Sequence, residues 1–180
     1  MNVDPLLPLT VSLGFGLLFV IAASHKLRDL VRFRAILADY QIMPESLVPV
    51  AAGVLVAFEF GVGMAWIAGV AVAPAATAVL LIGYSGAIAI NLDRGRTYIS
   101  CGCGLSGDGD ESLSGALLWR NAVLFGLTAV SWFPVSVRHV DATDYLFAIA
   151  ALAISVLVYT AANQLIANHV EMRAWRAGDD

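Results

Sequence analysis

Charged side chains are scarce in this chain of 180 residues, of which only 13% are Asp, Glu, Lys or Arg. The formal net charge of -4 provides no basic surplus, so nothing points to a nucleic-acid partner. Apolar residues are abundant instead and make up 59% of the chain. Because a soluble domain has roughly 45–50% apolar residues, this composition predicts an integral membrane protein with a lipid bilayer as its surroundings.

Long apolar runs predict an all-α fold, a polytopic membrane helical bundle with about five transmembrane helices, in one integral-membrane domain covering residues 1–180. Each crossing helix needs about 20 residues. We expect a four-helix core plus one, with spans near residues 6–24, 48–70, 74–92, 117–134 and 145–166. A cysteine-containing loop at 93–116 and a charged tail at 168–180 are expected outside these spans.

The connections between the spans carry their own signals. Residues 47–92 are too long for one crossing, so the small residues before Pro74 predict a hairpin at 69–73. Residues 30–40 fit a short amphipathic helix at the headgroup surface with its basic side facing anionic lipid, and a solvated loop fits them equally. Because Met1–Asp4 contains no basic side chain, we expect the first span to be retained and not removed as a signal peptide.

The distribution of basic residues predicts the orientation. The first and third loops and the tail share one side of a five-helix bundle, and they hold Lys26, Arg28, Arg32, Arg34, Arg94, Arg96, Arg120, Arg173 and Arg176. The other side holds only Arg138. The positive-inside rule therefore predicts an outside N-terminus and a cytoplasmic C-terminus, with the cysteine loop at the cytoplasmic edge.

Cys101 and Cys103 are the only cysteines, and Gly102 separates them. A disulfide across one residue is tight and therefore exchangeable, whereas closing so short a loop removes little entropy from the unfolded chain. A structural disulfide is therefore disfavoured, and two unreactive thiols remain an alternative. Two thiolates also suit a soft metal such as Cu(I) or zinc, but no spacing of the three histidines supports a closed site of four ligands.

The surroundings of the cysteines give opposing signals about reactivity, which requires a lowered thiol pKa. Arg96, Arg120 and a helix start near 112–114 favour the thiolate. Asp108, Asp110 and Glu111 oppose it.

Glu59 is the one charged residue of the second predicted span, and a carboxylate inside a membrane is expected to be neutral, paired or facing a cavity. It is interpreted as a proton or substrate relay, or as a structural partner of Lys26, Arg94 or Arg120. Arg120, followed by Asn121, could pair with Glu59, reach the cysteine loop or extend to the headgroups. His25 and Lys26 are candidate supporting residues, or topology anchors at the end of the first span.

Four stretches together resemble the MauE family, within the wider MauE/DoxX-like group of redox-associated membrane proteins. They are Ser24-His25-Lys26-Leu27, Glu59 with Gly61 and Gly63, Cys101-Gly102-Cys103-Gly104, and Leu118-Trp119-Arg120-Asn121. The resemblance covers roughly residues 10 to 165. One departure is Gly104-Leu105 after the second cysteine, where the family often has an aromatic residue, and this puts fine specificity in doubt.

The resemblance implies a bacterial cytoplasmic-membrane protein that supports disulfide formation or maturation of exported proteins, as in the biogenesis of methylamine dehydrogenase. It implies a thiol–disulfide oxidoreductase in which Cys101 and Cys103 exchange with a thioredoxin-like partner and act on an exported disulfide-containing client. A membrane quinone is a second candidate electron partner, although no residue pattern identifies a quinone site. A soft-metal (copper-type) transporter and a non-catalytic assembly scaffold are the alternatives, and the oligomeric state stays open.

The predicted orientation conflicts with this chemistry, because disulfides persist outside the cytoplasm. Either the loop dips into the membrane and is reached from outside, or the protein moves reducing equivalents outward, or the number of spans is wrong by one.

Overall fold

The computed structural model describes residues 3–97, 99–100, 113–139 and 141–178, and for residues 167 and 169–178 it describes the backbone only. The described residues form six helices: α1 (Leu6–Arg28), α2 (Leu30–Asp39), α3 (Val48–Ile67), α4 (Ala73–Asp93), α5 (Gly115–Thr128) and α6 (Ala142–Gly178). Short 3₁₀ turns precede α3 at Glu45–Leu47 and follow α5 at Ala129–Trp132. Within the described ranges there is no β-strand, so the predicted all-α class is confirmed.

Four helical segments are each long and apolar enough to cross a membrane. They are Leu6–Arg28, Glu45–Ile67, Ala73–Asp93 and Ala142–Ile166. A fifth crossing is made jointly by α5, of 14 residues, and the four-residue turn after it. At 1.5 Å per α-helical and 2.0 Å per 3₁₀ residue these two elements span about 29 Å, close to the thickness of a hydrocarbon core.

Contacts at the two ends of the bundle show that α5 runs from one end to the other. At one end, Arg94 after α4 donates a hydrogen bond to the carbonyl of Gln41 after α2, over 3.2 Å. At the opposite end, the N–H of Val3 donates to Pro134 O at 2.9 Å, and the N–H of Ser136 donates to Val3 O at 2.8 Å. The polypeptide therefore crosses the bundle between α4 and α6, and five crossing segments result.

Helices α1 and α3 form the closest pair because glycines face each other across it. A Cβ on Gly16 would lie 2.6 Å from Ile67 Cγ1, and a Cβ on Gly63 would lie 3.0 Å from Val20 N and 3.1 Å from Gly16 O. Only residues without a side chain allow this approach, which is typical of packing inside membranes. The ring of Phe15 stacks on Trp66 beside it, with centroids 5.1 Å apart.

The hairpin forms where the sequence predicts it, and residues 30–40, which fitted a helix and a loop equally, are mostly helical. The chain reverses after α3 at Gly69, whose φ of +66° is a left-handed conformation that glycine adopts without strain. Pro74 lies in the first turn of α4, where its missing N–H removes no hydrogen bond. Residues 30–39 form the helix α2, with the Asp29 side chain accepting from the N–H of Arg32 at 3.0 Å.

Helix α6 is longer than the sequence predicts, since it continues past residue 166 to Gly178. The stretch 168–177 contains no proline or glycine, and Glu, Met, Arg and Ala in it are good helix formers. The predicted charged tail is therefore mostly a helical extension.

Candidate functional site

Three polar side chains from three helices meet inside the bundle. Lys26 Nζ donates hydrogen bonds to Glu59 Oε1 and to Tyr84 Oη, the latter over 3.2 Å. Tyr84 Oη in turn donates to the same Glu59 oxygen at 2.5 Å. Lys26 and Glu59 are buried, with 7% and 2% of their surfaces exposed. We refer to Lys26, Glu59 and Tyr84 as the polar triad.

The triad is positioned by the register of α1 against α3. Lys26 lies in the last turn of α1, and Glu59 lies eleven residues after the start of α3 at Val48. At 1.5 Å per residue Glu59 is about 17 Å into its helix, near the middle of a hydrocarbon core. The long Lys26 side chain therefore brings its charge inward, opposite to the usual direction toward the headgroups.

Two aromatic rings enclose the ammonium group. Lys26 Nζ lies 5.2 Å from the ring centroid of Phe33, on α2, and 5.0 Å from that of Tyr84. Cation–π attraction from two rings, together with the carboxylate, compensates part of the lost hydration of the ammonium. The amphipathic helix α2 thus contributes to the site, because its buried Phe33 covers one side of the Lys26 ammonium group.

Glu59 has one oxygen that the triad does not use. Oε2 is buried and accepts no hydrogen bond from the residues that the structure describes. A carboxylate oxygen with free lone pairs can accept a proton or a hydrogen bond. Oε1 of Glu59 is therefore paired, whereas Oε2 can accept a further hydrogen bond or a proton.

Arg120 and Asn121 belong to a second polar layer between α4, α5 and α6. Arg120 Nη1 donates to Asn163 Oδ1 at 3.0 Å, and its guanidinium carbon lies 5.9 Å from the ring centroid of Tyr159. Asn121 Nδ2 donates to Ser85 Oγ at 3.2 Å. Since Ser85 follows Tyr84 directly, α4 carries one member of each polar layer.

Cys101 and Cys103 lie outside the described residues, but both flanks of their segment are described. The N–H of Leu113 donates to Ile99 O at 3.1 Å, which joins the two flanks. Ile99 and Leu113 are buried in one apolar cluster, whose other buried members are Tyr40, Ile88 and Leu117. The segment between residues 99 and 113 therefore begins and ends at a single fixed point beside α4 and α5.

The structure distinguishes among the partners predicted for Glu59. Lys26 pairs with it, whereas Arg94 contacts the Gln41 carbonyl and Arg120 contacts Asn163. His25 is half-buried next to Lys26, and its imidazole has no hydrogen-bond or ion-pair partner in the described part of the chain. Among the described residues no three His, Cys, Asp or Glu side chains are grouped so that they could hold a metal ion.

Four members of these polar layers were not predicted from the sequence: Tyr84, Ser85, Tyr159 and Asn163. Each lies in an apolar helix, where it also fits an ordinary packing or hydrogen-bonding role. The available signal was position: Tyr84 falls within a span already expected to pack against the helix carrying Glu59.

A family profile and individual related proteins all point to one family. The profile of a family described as "Methylamine utilisation protein MauE" matches residues 4–134. A protein of that name from Paracoccus denitrificans is 32% identical over 167 residues, covering 91% of this chain and 89% of the relative. One from Methylophilus methylotrophus is 30% identical over 166 residues, covering 91% and 87%. No solved structure matches the chain.

Proposed function

This chain belongs to the MauE family, and from that premise we propose that it is an accessory membrane protein of methylamine utilisation which performs thiol–disulfide exchange through Cys101 and Cys103. Its partner is a thioredoxin-like protein, and the exchange supports disulfide formation or maturation of an exported client, of the methylamine-dehydrogenase type.

The observation that carries the proposal is the fixed base of the cysteine segment. Cys101 follows the buried Ile99 by two residues, so chain reach keeps their Cα atoms within about 7 Å. The Leu113–Ile99 hydrogen bond holds the other flank at the same point, at the beginning of α5. The joined flanks at Ile99 and Leu113 support a redox pair that stays close to the bundle, where a partner protein can meet it.

The exchange reaction proceeds in two balanced steps. The thiolate of one cysteine attacks a sulfur of the partner's disulfide, forming a mixed disulfide while the partner's other sulfur leaves as a thiolate and takes a proton. The second cysteine, as a thiolate, then attacks its neighbour's sulfur in the mixed disulfide. This forms the Cys101–Cys103 disulfide and releases the reduced partner. In the opposite direction, the same steps oxidise the partner and reduce the Cys101–Cys103 disulfide. A membrane quinone is the alternative to the partner's disulfide as acceptor of electrons from the reduced cysteine pair.

The supporting residues have distinct roles in this proposal. Arg120 and Asn121 hold the first half of α5 against α4 and α6 near the end of the cysteine segment. Glu59 accepts and releases protons through its second oxygen, while Lys26 and Tyr84 hold its first oxygen. His25, half-buried next to Lys26 at the end of α1, remains a candidate supporting residue.

We propose that the protein lies in the bacterial cytoplasmic membrane with its N-terminus outside and its C-terminus in the cytoplasm. Five crossing segments and the excess of basic residues on one side support this orientation. Residue-specific labelling tests it: single-cysteine variants are treated in intact cells with a membrane-impermeant maleimide. Protection of both cysteines until the cells are opened is expected. Labelling in intact cells would instead indicate a segment reached from outside.

The deciding experiment is capture of the mixed disulfide. Cys101→Ser and Cys103→Ser variants are expressed in a host that carries its own maturation proteins, free thiols are blocked, and adducts are separated without reductant and identified by mass spectrometry. One of the two variants is expected to carry a thioredoxin-like protein that reductant releases. The Cys101→Ser/Cys103→Ser double variant is the control and should carry none.

Other outcomes identify the alternative functions. If neither single variant forms an adduct and the double variant still supports client maturation, the bundle acts as an assembly scaffold. If the purified wild-type protein binds Cu(I) tightly and the double variant does not, a soft-metal transporter is indicated. Either result would contradict the redox proposal.

A further inference from the structure

An apolar groove of about 310 Å³ runs along the outside of the bundle between the α1–α2 corner and α3. One wall contains Ser24, Leu27 and Leu30, and the other contains Gly53, Ala57 and Phe60. Gly53, Ala57 and Phe60 are exposed on the outer face of α3. The groove is therefore open to the surroundings of the bundle, which for a membrane helix are lipid.

The absence of a side chain at Gly53 contributes to the depth of the groove. A Cβ placed on Gly53 would have no atom within 4 Å. The floor is packed, since the buried Ala23 and Val56 line it and belong to the same apolar cluster as Phe33. The floor of the groove is therefore formed by packed side chains of α1 and α3.

Helical spacing places two arginines, Arg28 and Arg34, next to residues that line the groove. Arg28 follows Ser24 by four residues on α1, and Arg34 follows Leu30 by four residues on α2, so each lies one turn beyond a groove-lining residue on the same helix face. Both are exposed, and neither has an ion-pair partner among the described residues. The acidic neighbour Asp29 is engaged as the N-cap of α2.

We expect both arginines at headgroup depth, because the membrane-crossing helix α1 ends beside them. Helix α1 ends at Arg28, and the exposed Leu27 and Val31 surround the corner with apolar surface. A charged group held here meets phosphate oxygens, while the groove below meets hydrocarbon chains. One ligand satisfies both features.

We propose that this corner is a binding site for one anionic phospholipid, with an acyl chain in the groove and the phosphate between Arg28 and Arg34. The apolar groove buries hydrocarbon, and the two guanidinium groups neutralise the headgroup. Zwitterionic lipids fill the same groove with lower affinity because their headgroup carries no net charge. This site is separate from the cysteine pair, so it does not depend on the redox proposal.

Lipid titration of the purified full-length protein tests the site. The protein is placed in phosphatidylcholine nanodiscs containing increasing fractions of phosphatidylglycerol, and retained lipid is counted by native mass spectrometry. Phosphatidylglycerol is expected to be retained in preference to phosphatidylcholine. In the Arg28→Gln/Arg34→Gln variant its apparent affinity should fall about 30-fold, as expected for the loss of two basic side chains at an anionic surface.

The groove is tested separately by filling it. Gly53→Leu should lower phosphatidylglycerol retention, and it should fold because the added atoms enter open space. Gly61→Leu, also at an open position of α3 but outside the groove, and Arg96→Gln are matched controls that should retain the lipid. Inorganic phosphate alone should not raise the melting temperature.

Three results would overturn the site. They are equal retention of the two lipids by the wild type, unchanged retention in Gly53→Leu, and stabilisation by inorganic phosphate equal to that by phosphatidylglycerol.

Discussion

At the scale of single residues, the burial of Lys26 depends on its partners. The ammonium contacts the Glu59 carboxylate, the Tyr84 hydroxyl and two aromatic rings, so it is neutralised in the membrane interior. Removal of two charges from water costs several kcal/mol per ion, and only close pairing offsets that cost. The two charges are therefore interdependent, and each is expected to become harmful when the other is removed.

This interdependence predicts the behaviour of a double-mutant cycle. Lys26→Met should destabilise the purified protein by about 3–5 kcal/mol, because it leaves the Glu59 carboxyl buried without its cation. Lys26→Met/Glu59→Leu should recover most of that loss, since two apolar side chains of similar volume replace the pair. Reversible unfolding in mixed micelles provides the free energies. A double variant as unstable as Lys26→Met would show that the two residues are not energetically coupled.

Residues differ in how well the sequence predicts their role. Glu59 was identified because a charge inside an apolar span is costly, and Lys26 was one of three candidate partners. The choice among the three required the helix register, which brings residue 26 opposite residue 59 and turns Arg120 toward Asn163. Tyr84 was not identified because a tyrosine in an apolar helix has a polar and an apolar role that composition does not separate.

At the scale of secondary-structure elements, the contact between α1 and α3 depends on glycines on the facing sides of the two helices, Gly16 on α1 and Gly63 on α3. Gly63 contacts the backbone of α1 near Gly16 and Val20, whereas Gly61, two residues away on the same helix, has open space where its Cβ would be. Close backbone approach of this kind holds membrane helices together without a hydrophobic driving force.

Substitution of these two glycines should therefore have opposite consequences. Gly63→Ala places a Cβ 2.8 Å from Val20 Cγ2 and 3.0 Å from Val20 N, so α1 must move away and stability should fall by about 1–3 kcal/mol. Gly61→Ala should be neutral or slightly stabilising, because alanine favours a helix. Melting temperatures of the two purified variants give the comparison. Equal melting temperatures would contradict the proposed tight contact.

Helix ends were harder to predict than helix positions. Hydropathy predicts the fourth crossing near residues 117–134, but α5 ends at Thr128, whose hydroxyl donates to Phe125 O at 2.7 Å. A 3₁₀ turn completes the crossing before Pro134. The α conformation is disfavoured for a residue that precedes proline, which accounts for the extended backbone of Phe133 and the end of the 3₁₀ turn at Trp132. Hydropathy reports only whether a segment is apolar, so it cannot distinguish an α-helix from a 3₁₀ turn.

At the scale of the whole molecule, one ionic contact joins the chain's beginning to its final helix. Arg138 donates to Asp4 at 2.9 Å and to Asp144 at 2.7 Å, beside the backbone hydrogen bonds of Val3. The Arg138 hydrogen bond, followed by that of the Leu6 N–H, lowers the pKa of Asp4. The contact closes the end of the bundle opposite α2.

The lowered pKa of Asp4 predicts how this contact responds to pH. The ionised carboxylate is favoured in the folded state, so its contribution is present above the ordinary pKa of 3.8 and is lost as the pH falls through the lower folded value. The difference in melting temperature between wild type and Asp4→Asn should therefore be constant near neutral pH and disappear in acid. Because both partners are partly exposed, added salt should reduce it. A difference that grows in acid would contradict this assignment.

The bundle as a whole was predictable because a bilayer imposes few solutions on an apolar chain. The existence of about five crossings followed from hydropathy, whereas periodicity left residues 30–40 open between an amphipathic helix and a solvated loop. Which side chains form each polar layer could not be predicted in the same way, because it depends on which helices are neighbours. Tyr84 and Ser85 are adjacent in sequence, yet one contacts α3 and the other contacts α5.

The hydrogen bond from Leu113 to Ile99 also has an evolutionary consequence. Because Ile99 and Leu113 are joined directly, the segment between them can change in length, or in composition outside Cys101 and Cys103, while the helices stay in place. Doubling a loop costs only about 0.6 kcal/mol in closure entropy. Selection on the described helices therefore acts on assembly within the membrane, largely independently of changes in the length of this one short stretch.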